Sequence, residues 1–171
     1  AIWPEESFQA SWSVLWESFV SHFPQMQGHG PSRSSVAEAL SELERLGDAY
    51  AILSLDARRQ VMELYRPALE RLGALTLGAL ADRRPGRVAI GGLVVTRQHP
   101  MTAKGTVFLA LEDETGMVNV TLWPRTWGRL RGVVRRHALL YVEGQLQVES
   151  NVINLVADRV KPLIEVCREQ G

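Results

Sequence analysis

Residues 91–124 read GGLVVTRQHPMTAKGTVFLALEDETGMVNVTLWP, and this stretch decides the fold. Within it TVFLALED and MVNVTLWP are apolar at alternate positions and rich in β-branched residues, the pattern of strands with one buried face. Asp113-Glu-Thr-Gly116 between them supplies a turn with glycine at its close. Alternation places Val107, Leu109 and Leu111 on one side of the first run and Val118, Val120 and Leu122 on one side of the second, so these residues fill a core. Phe108, Asn119, Thr121 and Trp123 then point the other way.

Upstream, VAIGGLVVTRQ from Val88 is another β-branched run; downstream, ALLYVEGQLQV and VINLVADRV flank the turn Glu149-Ser-Asn151. The helical stretch PRTWGRLRGVVRRH, residues 124–137, separates the third run from the fourth. Three strands, a helix and two strands is the order of an OB-fold, a small Greek-key barrel whose strand 2–3 face and loops 1–2 and 4–5 bind oligonucleotides. Gly144 interrupts the fourth run and reads as a bulge that lets the barrel bend. The fold expected is therefore α+β, an N-terminal helical region followed by a five-stranded OB-fold β-barrel.

Before the barrel the period is helical. Phe8, Trp12, Trp16 and Phe19 recur every four residues with Leu15 and Phe23 beside them, a stripe that ends before Pro24 and reads as core or interface. After the loop 25–35, Ser34 or Ser35 with Glu38 offers a capping box for a second helix carrying Val36, Leu40, Leu43 and Leu46, and Gly47 stops it. A third helix is expected to start after Asp56 as N-cap and to kink or restart at Pro67 before Gly73 closes it. The divisions are an acidic helical region 1–47, a helical connector 48–87, the barrel 88–160 and a helical tail 161–171.

The 171 residues are 46% hydrophobic and 22% charged, an ordinary globular composition, and the length leads to the expectation of one domain or two small ones rather than a large multidomain enzyme. No apolar run approaches the ~20 residues of a membrane span. The N-terminus AIWPEESFQ carries acids where a signal peptide has Lys or Arg, so the expectation is a cytoplasmic protein with no membrane partner. Cys167 stands alone, and the histidines at 22, 29, 99 and 137 lack metal-ligand spacing, so neither a metal nor another cofactor is expected. Nineteen Lys+Arg balance 19 Asp+Glu. The balance is uneven along the chain: residues 1–47 hold two basic and six acidic residues, a net of −4, which leaves +4 for residues 48–171. Arg125, Arg129, Arg131, Arg135 and Arg136 fall in a stretch without one acid. That cluster is a phosphate-binding surface or a solvated arginine-rich helix.

Residues 91–124 closely resemble the C-terminal OB domain of bacterial DNA polymerase III alpha-type chains. They look most like the error-prone, damage-inducible type, in which a TRQ-P-TAKG loop, an F-x-x-LEDETG hairpin and a WP ending recur. The resemblance continues through Leu139-Tyr-Val-Glu-Gly144 and Asn154-Leu-Val-Ala157. Upstream, YAILSLDARRQVMELYRPALERLGALTLGAL is similar to the helical connector of the same family, although Arg59-Gln60-Val61-Met62 stands where that family has a His-Pro-Met step. The resemblance implies DNA binding in replication, repair or translesion synthesis. Neither the polymerase carboxylates nor the phosphoesterase-like module of those chains has room here, so this chain is expected to be non-catalytic.

Phe108 leads the candidate binding residues, because a ring on the second strand of an OB barrel stacks on bases. The F-x-x-L-x-D pattern from Phe108 to Asp113 also resembles the anticodon-binding OB domains of some aminoacyl-tRNA synthetases, where the equivalent Phe stacks on a base. Trp123 shares its outward parity and fits a stacking surface or a plug between helix and barrel. Arg97, His99 and Lys104, with Gln98 and Thr102, lie in or beside the loop joining the first two strands, where cations neutralise phosphates. Asn119, Thr121, Arg125 and Arg129 complete the set, the two arginines lying four apart on one helical face. The trio Glu112, Asp113 and Glu114 is better explained by turn hydrogen bonding from Asp113 than by a metal site.

The favoured reading is a non-catalytic single-stranded DNA-binding module that holds template strand. A polymerase or another repair protein docking on the N-terminal helices is a second partner. A protein-interaction module and an RNA- or tRNA-binding domain are the alternatives, and the oligomeric state stays open.

Overall fold

The computed structural model describes residues 53–170 together with Trp16, Val20, Gly28, Ser41, Glu42 and Arg45. The first two expected helices and the loop 25–35 lie outside the described residues apart from these positions, of which Trp16 is helical and packs against a core cluster described below. The described elements run α1 (Leu55–Arg71), β1 (Gly86–Gln98), β2 (Val107–Glu112), β3 (Met117–Leu122), α2 (Pro124–Arg136), β4 (Leu139–Glu149), β5 (Val152–Pro162) and α3 (Leu163–Gln170).

The strands close into a barrel in the order β1-β2-β3-β5-β4, with β3 and β5 parallel and the other neighbours antiparallel. Three strands, a helix and two strands is the order read from the sequence, and the barrel is the expected OB-fold. The predicted interior holds: Val107, Leu109, Leu111, Val118, Val120 and Leu122 are buried with Ile90, Val142, Leu146 and Leu155 in one cluster. Gly144 marks a register shift between β4 and β5. A Cβ there would stand 2.1 Å from the Val156 carbonyl oxygen, so no side chain fits while the barrel stays closed.

A second cluster lies outside the barrel. Ala57, Val61, Met62, Leu64, Tyr65, Ala68 and Leu69 form the apolar face of α1 and meet Leu93, Leu139 and Tyr141 of the barrel wall and Leu163, Val166 and Cys167 of α3. Gly91 permits this docking, since a Cβ there would come 2.8 Å from both Leu69 methyls. Burial pushes the Cys167 thiol up to about 11, so it stays protonated at neutral pH.

Two local expectations are corrected. The N-cap of α1 is Ser54, whose hydroxyl accepts from the Ala57 amide at 3.2 Å, so the helix starts before Asp56 rather than after it. It also does not restart at Pro67 but continues as one element, and it ends as expected where Gly73, at φ 75°, donates to the Glu70 carbonyl.

The acidic trio holds helix and barrel together. Asp113 Oδ1 accepts from the Thr115 amide at 2.7 Å, the Thr115 hydroxyl at 2.7 Å and the Gly116 amide at 3.0 Å, which is the turn bonding read from the sequence. Its Oδ2 accepts from the Leu77 amide at 2.8 Å and from Arg66 Nη2 at 3.0 Å. Arg66 Nε also donates to Glu114 at 2.5 Å, and Arg58 pairs with Glu112 at 3.3 Å. The Asp113 side chain is fully buried and that of Arg66 is 12% exposed. Two arginines eight apart on α1 thus clamp the β2–β3 hairpin.

Removing one partner of such a buried pair strands the other charge, so Asp113→Ala should cost about 3–5 kcal/mol in urea unfolding. Gly144→Ala should cost about 3 kcal/mol, the upper end for overpacking, read as a fall of several degrees in Tm.

Candidate nucleic-acid interface

Cross-strand register assembles a face that no single strand displays. Directly paired residues share a side of a sheet. One row around the barrel therefore runs Gln98, Phe108, Thr121, Val156, Gln145, and the next runs Thr96, Ala110, Asn119, Asn154, Gln147. No member of either row is charged, and half of them carry a carboxamide, which both donates and accepts hydrogen bonds. Phe108 lies in the middle of the first row with 37% of its surface exposed. Trp123, 51% exposed, follows β3 with the same parity and precedes Pro124, the first residue of α2.

The β1–β2 loop closes one end of this face. A short 3-10 turn at Met101–Ala103 leads into Lys104 in the left-handed region at φ 52°. A Cβ on the next residue, Gly105, would lie 3.4 Å from the Pro124 ring, so the loop rests on the start of α2. His99 meets the Trp127 ring edge-on at 5.7 Å between centroids, and the Arg135 guanidinium lies 5.4 Å from the centre of the same ring. His99, Lys104, Trp123 and Arg125, far apart in sequence, are all exposed around this junction.

Two candidates are placed differently from expectation. The register of β1 against β2 shifts between Val94 and Thr96, and such a bulge reverses the side of every residue beyond it. Arg97 consequently pairs with Leu109 on the interior side, where its Nε donates to the Val134 carbonyl and its Nη2 to the His137 carbonyl, both at 3.0 Å. It pins the end of α2 across the mouth of the barrel instead of standing free in the loop. Thr121 has the outward parity expected, but it is 3% exposed and its hydroxyl donates to Asn154 Oδ1 at 2.9 Å. Arg129 is exposed, with one nitrogen donating to the Asp158 carbonyl at 2.8 Å. Asn119 is exposed as expected. Gln145, Gln147 and Asn154 join the face only through the β3–β5 and β4–β5 registers, which the spacing of each strand taken singly does not reveal.

The opposite wall is neutralised internally. A cavity of about 260 Å³ opens there, lined by Arg83, Arg87, Tyr141 and Glu143 among others. Arg87 donates to Asp158 at 2.5 and 2.9 Å and to Glu143 at 3.3 Å. That hydrogen bonding holds the Asp158 carboxyl below its usual range. Burial, then donation to Glu143, pushes the Tyr141 hydroxyl up to about 12. Its main cation is thus occupied by carboxylates, whereas α2 and the β1–β2 loop carry cations without such partners among the described residues. Among those residues no group of three or more His, Cys, Asp or Glu is placed to hold a metal ion, and no helix is long and apolar enough to cross a membrane.

Residues 88–163 match the family of OB-fold nucleic acid binding domains. The chain is similar to the error-prone DNA polymerase of Ruegeria pomeroyi, 42% identical over 120 residues that make up 70% of this chain and 11% of the relative. It is also similar to the error-prone DNA polymerase of Ralstonia nicotianae, 40% identical over 158 residues, 91% of this chain and 15% of the relative. The chain thus spans less than a sixth of these relatives' lengths. In shape it is similar to asparaginyl-tRNA synthetase from Pyrococcus horikoshii, with a TM-score of 0.44 and 14% identity over 52% of this chain and 22% of that one.

Since Arg97 is a pin and Lys104 a solvated cation, their truncations should separate. Arg97→Ala should lower unfolding free energy by about 2 kcal/mol, the scale of hydrogen bonds from a charged group, and speed amide exchange at the end of α2. Lys104→Ala should stay within about 0.5 kcal/mol of wild type.

Proposed function

We propose that this chain, whose OB-fold segment is similar to that of error-prone DNA polymerases, holds single-stranded template DNA without itself catalysing a reaction. The observation that carries this reading is Phe108, a half-exposed ring set in an uncharged, carboxamide-bearing face. Unstacked bases need such a ring for stacking and neutral donors and acceptors at their edges. Trp123 offers a second ring at the end of that face. His99, Lys104 and Arg125 stand at the rim, where phosphates follow the bases, and Arg129 keeps donors to spare beside them. Thr121 acts by fixing the Asn154 carboxamide rather than by touching DNA, and Arg97 by holding α2.

Kinship with error-prone polymerases supports a place in translesion synthesis and repair in the cytoplasm, with a polymerase or another repair protein as partner. The same kinship favours DNA over RNA as ligand. A protein-docking role for the barrel face is less well supported, because the polar rows around Phe108 lack the contiguous apolar area of a docking patch.

Titration of labelled oligo-dT and oligo-U at two salt concentrations tests the reading. Oligo-dT should bind more tightly than oligo-U, and affinity should fall steeply with salt. Phe108→Ala should weaken oligo-dT about tenfold, one stacked base being worth ~1–3 kcal/mol. Absence of binding at low salt would refute the nucleic-acid role; tighter binding of oligo-U would reassign the ligand to RNA.

A further inference from the structure

The outer arc of α2 is built from two residue types. With successive residues about 100° apart around a helix, Thr126, Trp127, Leu130, Val133 and Val134 point toward the barrel. The outer side carries Arg125, Arg129 and Arg136 along one edge, Arg131 and Arg135 along the other, and Gly128 and Gly132 between them. Pro124 in the first turn is the sole exception. No salt bridge engages these arginines among the described residues; Arg129 gives one nitrogen to the Asp158 carbonyl and Arg135 lies over Trp127.

Arg129 and Arg135 serve the fold through the Asp158 carbonyl and the Trp127 ring, and Arg135 and Arg136 suit the C-terminal end of the helix dipole, but Arg125, Arg131 and the glycines have no such role among the described residues. Like charges crowded on one side of a helix repel. Glycine is a poor helix former, and a Cβ at Gly128 would meet nothing within 4 Å, while one at Gly132 would meet only the mobile end of Arg136 at 3.3 Å. Packing among the described residues therefore requires neither glycine. Together they make a shallow groove between two guanidinium walls, its floor bare backbone at Gly128 and overlain by the movable Arg136 guanidinium at Gly132. A chain of phosphodiesters matches such a groove, because guanidinium forks bind phosphate bidentately and glycine lets a backbone approach closely.

We propose that this arc is a second nucleic-acid track, distinct from the Phe108 face, that holds the sugar–phosphate backbone of duplex DNA. Duplex rather than single strand follows from the absence of a stacking platform on the arc. Trp127 is half-buried beneath His99 and Arg135, so unstacked bases have no ring to rest on, whereas a duplex keeps its bases stacked and turns phosphates outward. Arg125 stands where the arc meets Trp123, so the track leads toward the Phe108 face, but it stands whether or not that face binds a base.

The test is fluorescence anisotropy on the full chain with a labelled blunt-ended duplex and with oligo-dT across a salt series. Arg131→Gln/Arg136→Gln should weaken duplex binding about tenfold and reduce the slope of log K against log salt by about two, leaving oligo-dT unchanged. Gly128→Leu/Gly132→Leu keeps every charge and should weaken the duplex equally by filling the groove. Circular dichroism checks that both variants stay folded, and Gly128→Ala/Gly132→Ala, which should raise Tm, shows that the fold does not need the gap. Failure of the wild type to bind duplex at low salt overturns the proposal and leaves an acidic protein segment as the occupant. Unchanged duplex affinity in the glutamine pair or in the leucine pair, or equal loss of duplex and oligo-dT, also overturns it.

Discussion

The buried carboxylate of Asp113 is the interaction on which the rest depends. It satisfies two amides and a hydroxyl of its own turn, the Leu77 amide of the segment leading into β1, and Arg66 of α1. A buried charge is tolerable only when it is paired and hydrogen-bonded throughout, and this one is. Through it the hairpin turn, the connector and the helix are held in one arrangement. Arg58 and Arg66 offset two of the trio's three negative charges from α1, so the β2–β3 turn carries a net charge of only −1 beside the neighbouring face. Fixing the turn fixes the register of β2 against β3, and that register places Phe108 opposite Thr121.

From that register the candidate interface follows by the alternation of strands. Interior residues build the barrel cluster, and the outward ones meet as two uncharged rows closed at one end by a cationic loop and helix. Arg97 shows how structural and binding roles separate within one loop: a single bulged position turns it inward, where it ties α2 to β1, while His99 and Lys104 stay at the surface. The Thr121–Asn154 hydrogen bond similarly removes one candidate from the surface and orients another.

Much of this was legible in the sequence because alternation is local. The interior of β2 and β3, the helix between β3 and β4, the bulge at Gly144 and the turn role of Asp113 all rest on residues near one another in the chain. What was not legible depends on distant pairing. The bulge near Val95 leaves no glycine or proline signal, so the inward turn of Arg97 is invisible without its partner strand. The carboxamide rows need the β3–β5 and β4–β5 registers, and the clamp from Arg58 and Arg66 needs the docking of α1. Ser54 took the N-cap from Asp56 because the helix began earlier than its acidic residue advertised, and Pro67 was accommodated because α1 is held by packing along a whole face.

The central claim is that single-stranded DNA lies on the Phe108 face, with its phosphates at the β1–β2 loop and the start of α2. The most direct measurement is the map of amide and side-chain carboxamide NMR shifts when oligo-dT is added to the isotope-labelled chain. The account predicts perturbations concentrated on Gln98, Phe108, Asn119, Gln145, Gln147 and Asn154, with Lys104, Trp123 and Arg125 at their border. Perturbations centred instead on Leu72, Arg87, Tyr141 and Glu143, around the cavity on the opposite wall, would contradict it.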